Sequence, residues 1–267
     1  IGCFKAIPVG NDAFFVNNVV NHDFIIENIK EDLFYVRKHE GQMSSQIRHQ
    51  DIPVLKKRRI IDGLVSIILP VKNSESTILE TLKSIGRQSY AEIELIIVDD
   101  VSSDRTQQVV RDWYEEYINT SGAIKELLYF TLPSEACSPW VYNIGAYLSR
   151  GEYIAFHKDD GQSHPERIQR QVEFLNKNFM YSAVGSNTEP DDLDIKYDAD
   201  IEYSYIAEYR HCVNIHSLMV RYEVIHKTAG FNNLIQGAED FEFIYRLLNN
   251  GFRVQNLREV LYFEQKK

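Results

Sequence analysis

The chain has 267 residues, 44% of them hydrophobic, enough to bury a core of its own as a globular α/β domain, alone or with an appendage. Its 39 acidic and 29 basic side chains leave a net charge of −10, which argues against a nucleic-acid-binding surface. No apolar run approaches the about 18 residues needed to span a bilayer, and three scattered cysteines (Cys3, Cys137, Cys212) without C-x-x-C spacing give neither a disulfide framework nor a zinc site.

A reducing, cytoplasmic setting is therefore expected. The chain starts at Ile1 and carries no signal peptide, so it reads as a piece cut from a longer protein. Membrane association, peripheral at the inner face, would then come from parts of the parent outside this sequence.

Residues 1–43 mix short apolar clusters with charges and lack a clear period. Residues 44–62 carry Pro53 and the basic run Lys56, Lys57, Arg58 and Arg59, which reads as a solvated linker. Together they are expected to form an accessory segment, 1–62, ahead of a domain over 63–267. From Leu64 short apolar runs alternate with helix-length amphipathic segments, the pattern of βαβ units and a largely parallel sheet.

The run LVSIILPV predicts a buried strand over 64–71, followed by a helix over 73–88 with apolar positions Ile78, Leu82 and Ile85. IELIIVDD predicts a strand over 93–100 that ends in two carboxylates. A helix with an Asp cap follows over 104–118, then a strand over 126–132. Pro139 and Gly151 bracket the next helix. A strand over 152–157 runs into KDDGQSHPER, and a helix over 164–178 and a strand over 181–189 come after it. The acidic loop 191–200 reads as solvated. Residues 214–231 read as strand then helix, and 239–251 as a helix closed by Gly251.

In open α/β sheets a ligand sits beyond the carboxyl ends of the strands, and three strands here end in polar clusters. Asp99 and Asp100 at one strand tip repel each other unless donors hold them; a nucleoside's imino and hydroxyl groups are suitable donors, while Ser103 or Asp104 can cap the next helix. Asp159 and Asp160 are hard oxygen ligands suited to Mg2+ or Mn2+ shared with substrate phosphates, or else an acidic turn before a helix. Glu239 and Asp240 open a helix, where negative charge is favoured in any case, and where a carboxylate can also serve as a general base. No G-x-G-x-x-G or G-x-x-x-x-G-K-[ST] sequence is present, which disfavours a dinucleotide fold or a P-loop.

Three blocks in order carry a resemblance: VSIILPVKNSESTILETLKSIGRQSYAEIELIIVDDVSSDRT, GEYIAFHKDDGQSHPERI and AGFNNLIQGAEDFEFIYRLLNNGF. Over roughly residues 64–254 the chain resembles the inverting glycosyltransferases of family 2. The resemblance implies a GT-A fold, a Rossmann-like and mostly parallel central sheet flanked by helices. It also implies a nucleotide-sugar donor, a divalent metal (Mn2+ or Mg2+) and a glycan, lipid-linked or protein acceptor, in surface polysaccharide assembly.

Carried over by position, Pro70, Val71, Asn73 and Glu75 would line the nucleotide pocket. Asp100 would meet the base with Asp99 beside it, Asp159 would lie near the ribose or sugar, and Asp160 would hold the metal. Asp240 would be the catalytic base, with Glu239 beside it on the acceptor side. The chain departs from the family pattern at three places. Lys158 stands where many members carry the first Asp of Asp-x-Asp, Tyr142 replaces the arginine of R-N-x-G, and Val101 stands where glycine usually follows the two aspartates. No Q-x-x-R-W block appears, so a processive polymerase is not expected. His216 reads as a structural strand histidine. The competing expectation is a non-catalytic domain of the same fold that binds glycan or scaffolds a larger synthase.

Overall fold

The computed structural model describes residues 60–120, 122–189, 199–201, 213–235 and 237–264. The accessory segment and its basic run, but for residues 60–62, and most of the acidic loop 191–200 lie outside the described residues.

The first half alternates as the apolar periodicity predicts. β1 (Ile61–Val71), α1 (Ile78–Gly86), β2 (Ile93–Asp99), α2 (Thr106–Tyr117), β3 (Ile124–Thr131), α3 (Ser138–Leu148) and β4 (Gly151–Phe156) follow in chain order. After them come β5 (Gly161–Ser163), α4 (Arg167–Lys177), β6 (Tyr181–Glu189), β7 (Ala199–Ile201), a 3-10 turn at Ile215–Ser217, β8 (Met219–Arg221), α5 (Tyr222–Thr228), α6 (Glu239–Asn249) and β9 (Arg253–Glu264).

These strands form one sheet in the order β3-β2-β1-β4-β8-β6-β9-β5, with β7 on β9. β3, β2, β1 and β4 are parallel. Beyond them the sheet is mixed: β8 runs antiparallel to both β4 and β6, β9 parallel to β6, and β5 and β7 antiparallel to β9. The parallel half is thus what the sequence pattern predicts, and the antiparallel pairings are made by the three-residue strands β5, β7 and β8.

β1 is apolar on successive residues because both faces of the sheet are covered. Ile67 and Leu69 face a core shared with Leu82, Ile85, Trp113, Val172 and Leu175 of α1, α2 and α4. Ile68 points the other way, to Tyr142, Phe156, Phe231, Phe243 and Leu247 on α3, β4, the turn after α5, and α6. A Cβ at Gly145 would stand 2.3 Å from Ile68 Cγ2, so glycine lets α3 approach β1 closely.

The strand order reverses between β1 and β4: the chain builds outward through β2 and β3, then returns to lay β4 on the other side of β1. This topological switch opens a crevice at the strand carboxyl ends.

Candidate active site

The helix expected from residue 73 starts only at Ile78, because residues 72–77 form a loop tied to the next crossover. Asn73 takes a left-handed φ of 51°, which asparagine tolerates, and its Oδ1 accepts the Ser103 N–H at 2.8 Å while its own N–H reaches Ser102 Oγ at 3.0 Å. Glu75 N–H donates to Asp104 Oδ2 at 3.0 Å, and Glu75 Oε2 accepts the Arg105 N–H at 2.9 Å. Asn73 and Glu75 therefore stitch the loop after β1 to the loop after β2. Pro70 lies at the strand end opposite Val98, and Val71 is buried with its carbonyl taking the Asp100 N–H at 2.9 Å.

The two aspartates at the end of β2 have different neighbours. Asp99 accepts the Ser102 N–H at 2.8 Å and the Tyr129 hydroxyl at 2.8 Å, so both its oxygens close the turn and hold β3. Asp100, also buried, accepts the Ala136 N–H at 2.7 Å and pairs with the exposed Lys72, Nζ at 3.1 Å. Burial, followed by the Asp99 hydrogen bond and charge, raises the pKa of the Tyr129 phenol, which keeps it a donor.

Across the switch point, Asp159 Oδ2 accepts the hydroxyl of buried Ser74, joining the acidic loop to the loop after β1. Thr81 of α1 donates to the carbonyls of Asp159 and Gly161, each at 2.9 Å. Asp160 lies beside Lys158, whose Nζ is 3.0 Å from Oδ1 as an ion pair. That oxygen is buried and makes no well-aligned hydrogen bond to any described residue.

At the start of α6, Glu239 Oε2 is buried with no hydrogen-bond partner among the described residues. Asp240 Oδ1 accepts the Phe241 N–H at 2.7 Å, and no hydrogen bond among the described residues joins Asp240 to the other clusters. The turn leading to α6 is anchored to α3. Asn143 Oδ1 accepts the Phe231 N–H at 2.7 Å, and its amide donates to Phe231 O and Asn233 Oδ1, both at 2.9 Å.

Tyr142, in the place of the family arginine, is buried in an aromatic cluster with Phe156 and Phe231. Burial raises its pKa first, and the charges of Asp159, Glu239 and Glu264 raise it further.

Sequence reasoning did not anticipate β9, and with it Tyr262 and Glu264. The Tyr262 hydroxyl accepts the Lys158 N–H at 3.2 Å, and a Cβ on Gly161 would collide with that hydroxyl, so this loop needs glycine where it passes β9. Glu264 pairs with His216 Nδ1 at 3.2 Å. The His216 hydrogen bond, working against desolvation, and the Asn214 amide bring the Glu264 pKa down to about 2. Ser74 was also missed, although its place between Asn73 and Glu75 was a signal.

A divalent metal of the Mg2+ or Mn2+ kind typically needs one or two carboxylates, with substrate phosphates completing the shell. Asp160, with a buried oxygen that lacks a well-aligned donor, fits such a shared site. Among the described residues no group of three or more His, Cys, Asp or Glu side chains forms a metal site of its own. No helix among them is long and apolar enough to cross a membrane.

The profile of the family described as Glycosyl transferase family 2 matches residues 66–234. The putative glycosyltransferase EpsE of Bacillus subtilis is 30% identical over 205 residues, covering 74% of this chain and 71% of EpsE. An Escherichia coli protein named UDP-Glc:alpha-D-GlcNAc-diphosphoundecaprenol beta-1,3-glucosyltransferase WfaP is 24% identical over 197 residues, covering 72% of this chain and 73% of that protein.

Among solved structures, S. aureus TarS 1-349 in complex with UDP superposes with a TM-score of 0.64 at 21% identity, over 76% of this chain and 61% of that one. The mannosyltransferase PcManGT of Pyrobaculum calidifontis, in complex with GDP-Man and Mn2+, superposes with a TM-score of 0.62 at 20% identity, over 79% and 60%. The chain thus spans about three fifths of both structures, and at these identities the likeness is one of fold, the GT-A fold.

Proposed function

Because the chain belongs to glycosyl transferase family 2, we propose that it transfers a sugar, a hexose, from a nucleotide-sugar donor, a UDP-sugar, to a glycan, lipid-linked or protein acceptor, with inversion at the anomeric carbon. The observation that carries this reading is the convergence at the carboxyl ends of β1, β2 and β4. The loops bearing Asp100 and Asp159 are hydrogen-bonded to the loop after β1, and the turn leading to Glu239 at the start of α6 is anchored through Asn143 to α3. A UDP donor is supported by the UDP-Glc for which WfaP is named and by the UDP complex of TarS, and a metal by the Mn2+ complex of PcManGT.

In this reading Asp100 accepts from the base, while Lys72 beside it adds a donor. Asp159, held by Ser74 and Thr81, faces the ribose or sugar. Asp160 would hold a divalent cation, Mn2+ or Mg2+, which supplies positive charge to the diphosphate. Asp240 takes the proton of an acceptor hydroxyl, and that oxygen attacks the anomeric carbon as the bond to the diphosphate oxygen breaks. Glu239, with its unpartnered oxygen, orients the acceptor. Work on surface polysaccharide at the inner face of the membrane fits the lipid-linked acceptor in the name of WfaP.

The test is a screen of nucleotide sugars for nucleoside-diphosphate release with and without Mn2+, repeated on Asp240→Asn. Loss of a general base costs about 10²–10⁴-fold in rate, so Asp240→Asn is expected to lose kcat on that scale and keep its donor affinity. A folded wild-type chain that binds and turns over no donor would favour the non-catalytic, glycan-binding reading. Full activity in Asp240→Asn would remove the base from this position.

A further inference from the structure

We propose that Arg167 is a positioning residue of the diphosphate site: a buried guanidinium that clamps both ends of the loop over residues 157–163 and sets an uncompensated positive charge beneath it. The proposal rests on the reading of that loop as the diphosphate site.

Arg167 opens α4 and is 0% exposed, the largest of the fully buried side chains. Nη2 donates to Phe156 O at 2.9 Å, where β4 ends and the loop begins. Nη1 donates to Ser163 Oγ at 3.0 Å, where the loop ends, and the same hydroxyl lies 3.0 Å from His157 Nε2. Nε donates to Gln171 Oε1 at 3.3 Å, and the Gln171 amide is in turn fixed by Val184 O and Ser217 O. The guanidinium also lies over the Tyr262 ring, 5.1 Å from its centroid, and the Tyr262 hydroxyl takes the Lys158 N–H. One side chain thus touches the first residue before the loop, the last residue in it, and the aromatic ring that holds its middle.

All of these partners are neutral, and no described carboxylate pairs with Arg167. Burial lowers the Arg167 pKa only to about 10, so the guanidinium keeps its charge at neutral pH. Burial, followed by the Arg167 charge, holds the neighbouring imidazole of His157 neutral. A buried cation without an anion is costly, and an apolar side chain of similar volume would serve packing alone as well or better. The loop that Arg167 clamps carries Asp159 and Asp160, neither of them paired with it, and is read to receive the diphosphate, whose negative charge the buried cation would complement. The acidic loop can therefore gather a diphosphate without being overwhelmed by its own two carboxylates.

The experiment measures binding of UDP and GDP against uridine and guanosine, by calorimetry, to wild type, Arg167→Lys, Arg167→Gln and Arg167→Met, with thermal unfolding of each. The expected result is a loss of about tenfold in diphosphate affinity in the Gln and Met variants, with nucleoside affinity changed less than about twofold and Lys restoring most of the loss. Should Arg167→Met fail to fold, the Lys and Gln variants carry the comparison. Equal loss of nucleoside and diphosphate, as a merely structural role would give, overturns the proposal, and so does a Gln variant that binds UDP and GDP like wild type. A wild type that binds neither diphosphate more tightly than its nucleoside overturns instead the reading of the loop as a diphosphate site.

Discussion

Val101 follows the two aspartates of β2 at a φ of 58°, a left-handed conformation that is an outlier for a β-branched residue. The turn demands it, because Asp99 Oδ1 reaches forward to the Ser102 N–H and leaves the residues between little choice of path. Such strain costs about 1–3 kcal/mol, whereas glycine adopts this φ freely and loses about 0.5–1 kcal/mol through the flexibility it adds to the unfolded chain. Val101→Gly is therefore expected to raise stability by about 1 kcal/mol, read as a higher urea midpoint with an unchanged slope. An unchanged or lower midpoint would mean that the Val101 side chain, 38% exposed at the mouth of the crevice, gains more from its contacts than the backbone loses.

At the scale of elements, the parallel half of the sheet is locked by a polar residue inside a buried strand. Glu94 of β2 is 4% exposed, accepts the Ser66 hydroxyl of β1 and the Arg150 N–H before β4, and pairs with the Arg150 guanidinium at 2.9 Å. Replacing it strands a hydroxyl, an N–H and a cation at once, although solvent reaches part of Arg150. Glu94→Ala is expected to cost about 2–3 kcal/mol, below the full cost of breaking a wholly buried pair. A loss under about 1 kcal/mol in a urea titration would show that water replaces the carboxylate at that junction. The same strand explains how much was legible in the sequence. IELIIVDD reads as a strand in spite of Glu94, because the apolar run around it is long. In β9 the run fails: Gln255 and Asn256 are as buried as their apolar neighbours, so RVQNLREV shows neither a continuous apolar stretch nor a clean alternation. Tyr262 and Glu264 went unseen for that reason, and so did Arg167, since a charged residue in a first helical turn gives no sign of complete burial. The carboxylate clusters were legible because strand ends are punctuated by polar residues whatever the strands do later. Their unequal surroundings, with Asp99 closing a turn while Asp100 pairs with the exposed Lys72, depend on contacts some thirty residues away.

For the molecule as a whole, β9 is the strand that closes the mixed half of the sheet, pairing with β5, β6 and β7. Its last described residue, Glu264, stands opposite Gly161 and reaches His216 on the turn before β8. One carboxylate thus joins the end of the sheet, the acidic loop and the approach to α5, and its ionisation is coupled to folding. The His216 hydrogen bond outweighs the desolvation that opposes it, and with the Asn214 amide brings the pKa from 4.5 to about 2. A depressed carboxylate pKa means that the unfolded chain binds the proton more readily than the folded one. The stabilisation is therefore fully present above about pH 4.5 and drains away as the pH falls through 2. Urea titrations of wild type and Glu264→Gln at pH 6, 4, 3 and 2 should give a wild-type advantage that is largest at pH 6 and narrows steadily over the acid range. Glutamine keeps a carbonyl for His216 and Asn214 but has no proton to exchange, so the narrowing isolates the charge from the hydrogen bonds. A gap that stayed constant from pH 6 to 2 would show that the carboxylate is as free in the folded molecule as in the unfolded chain.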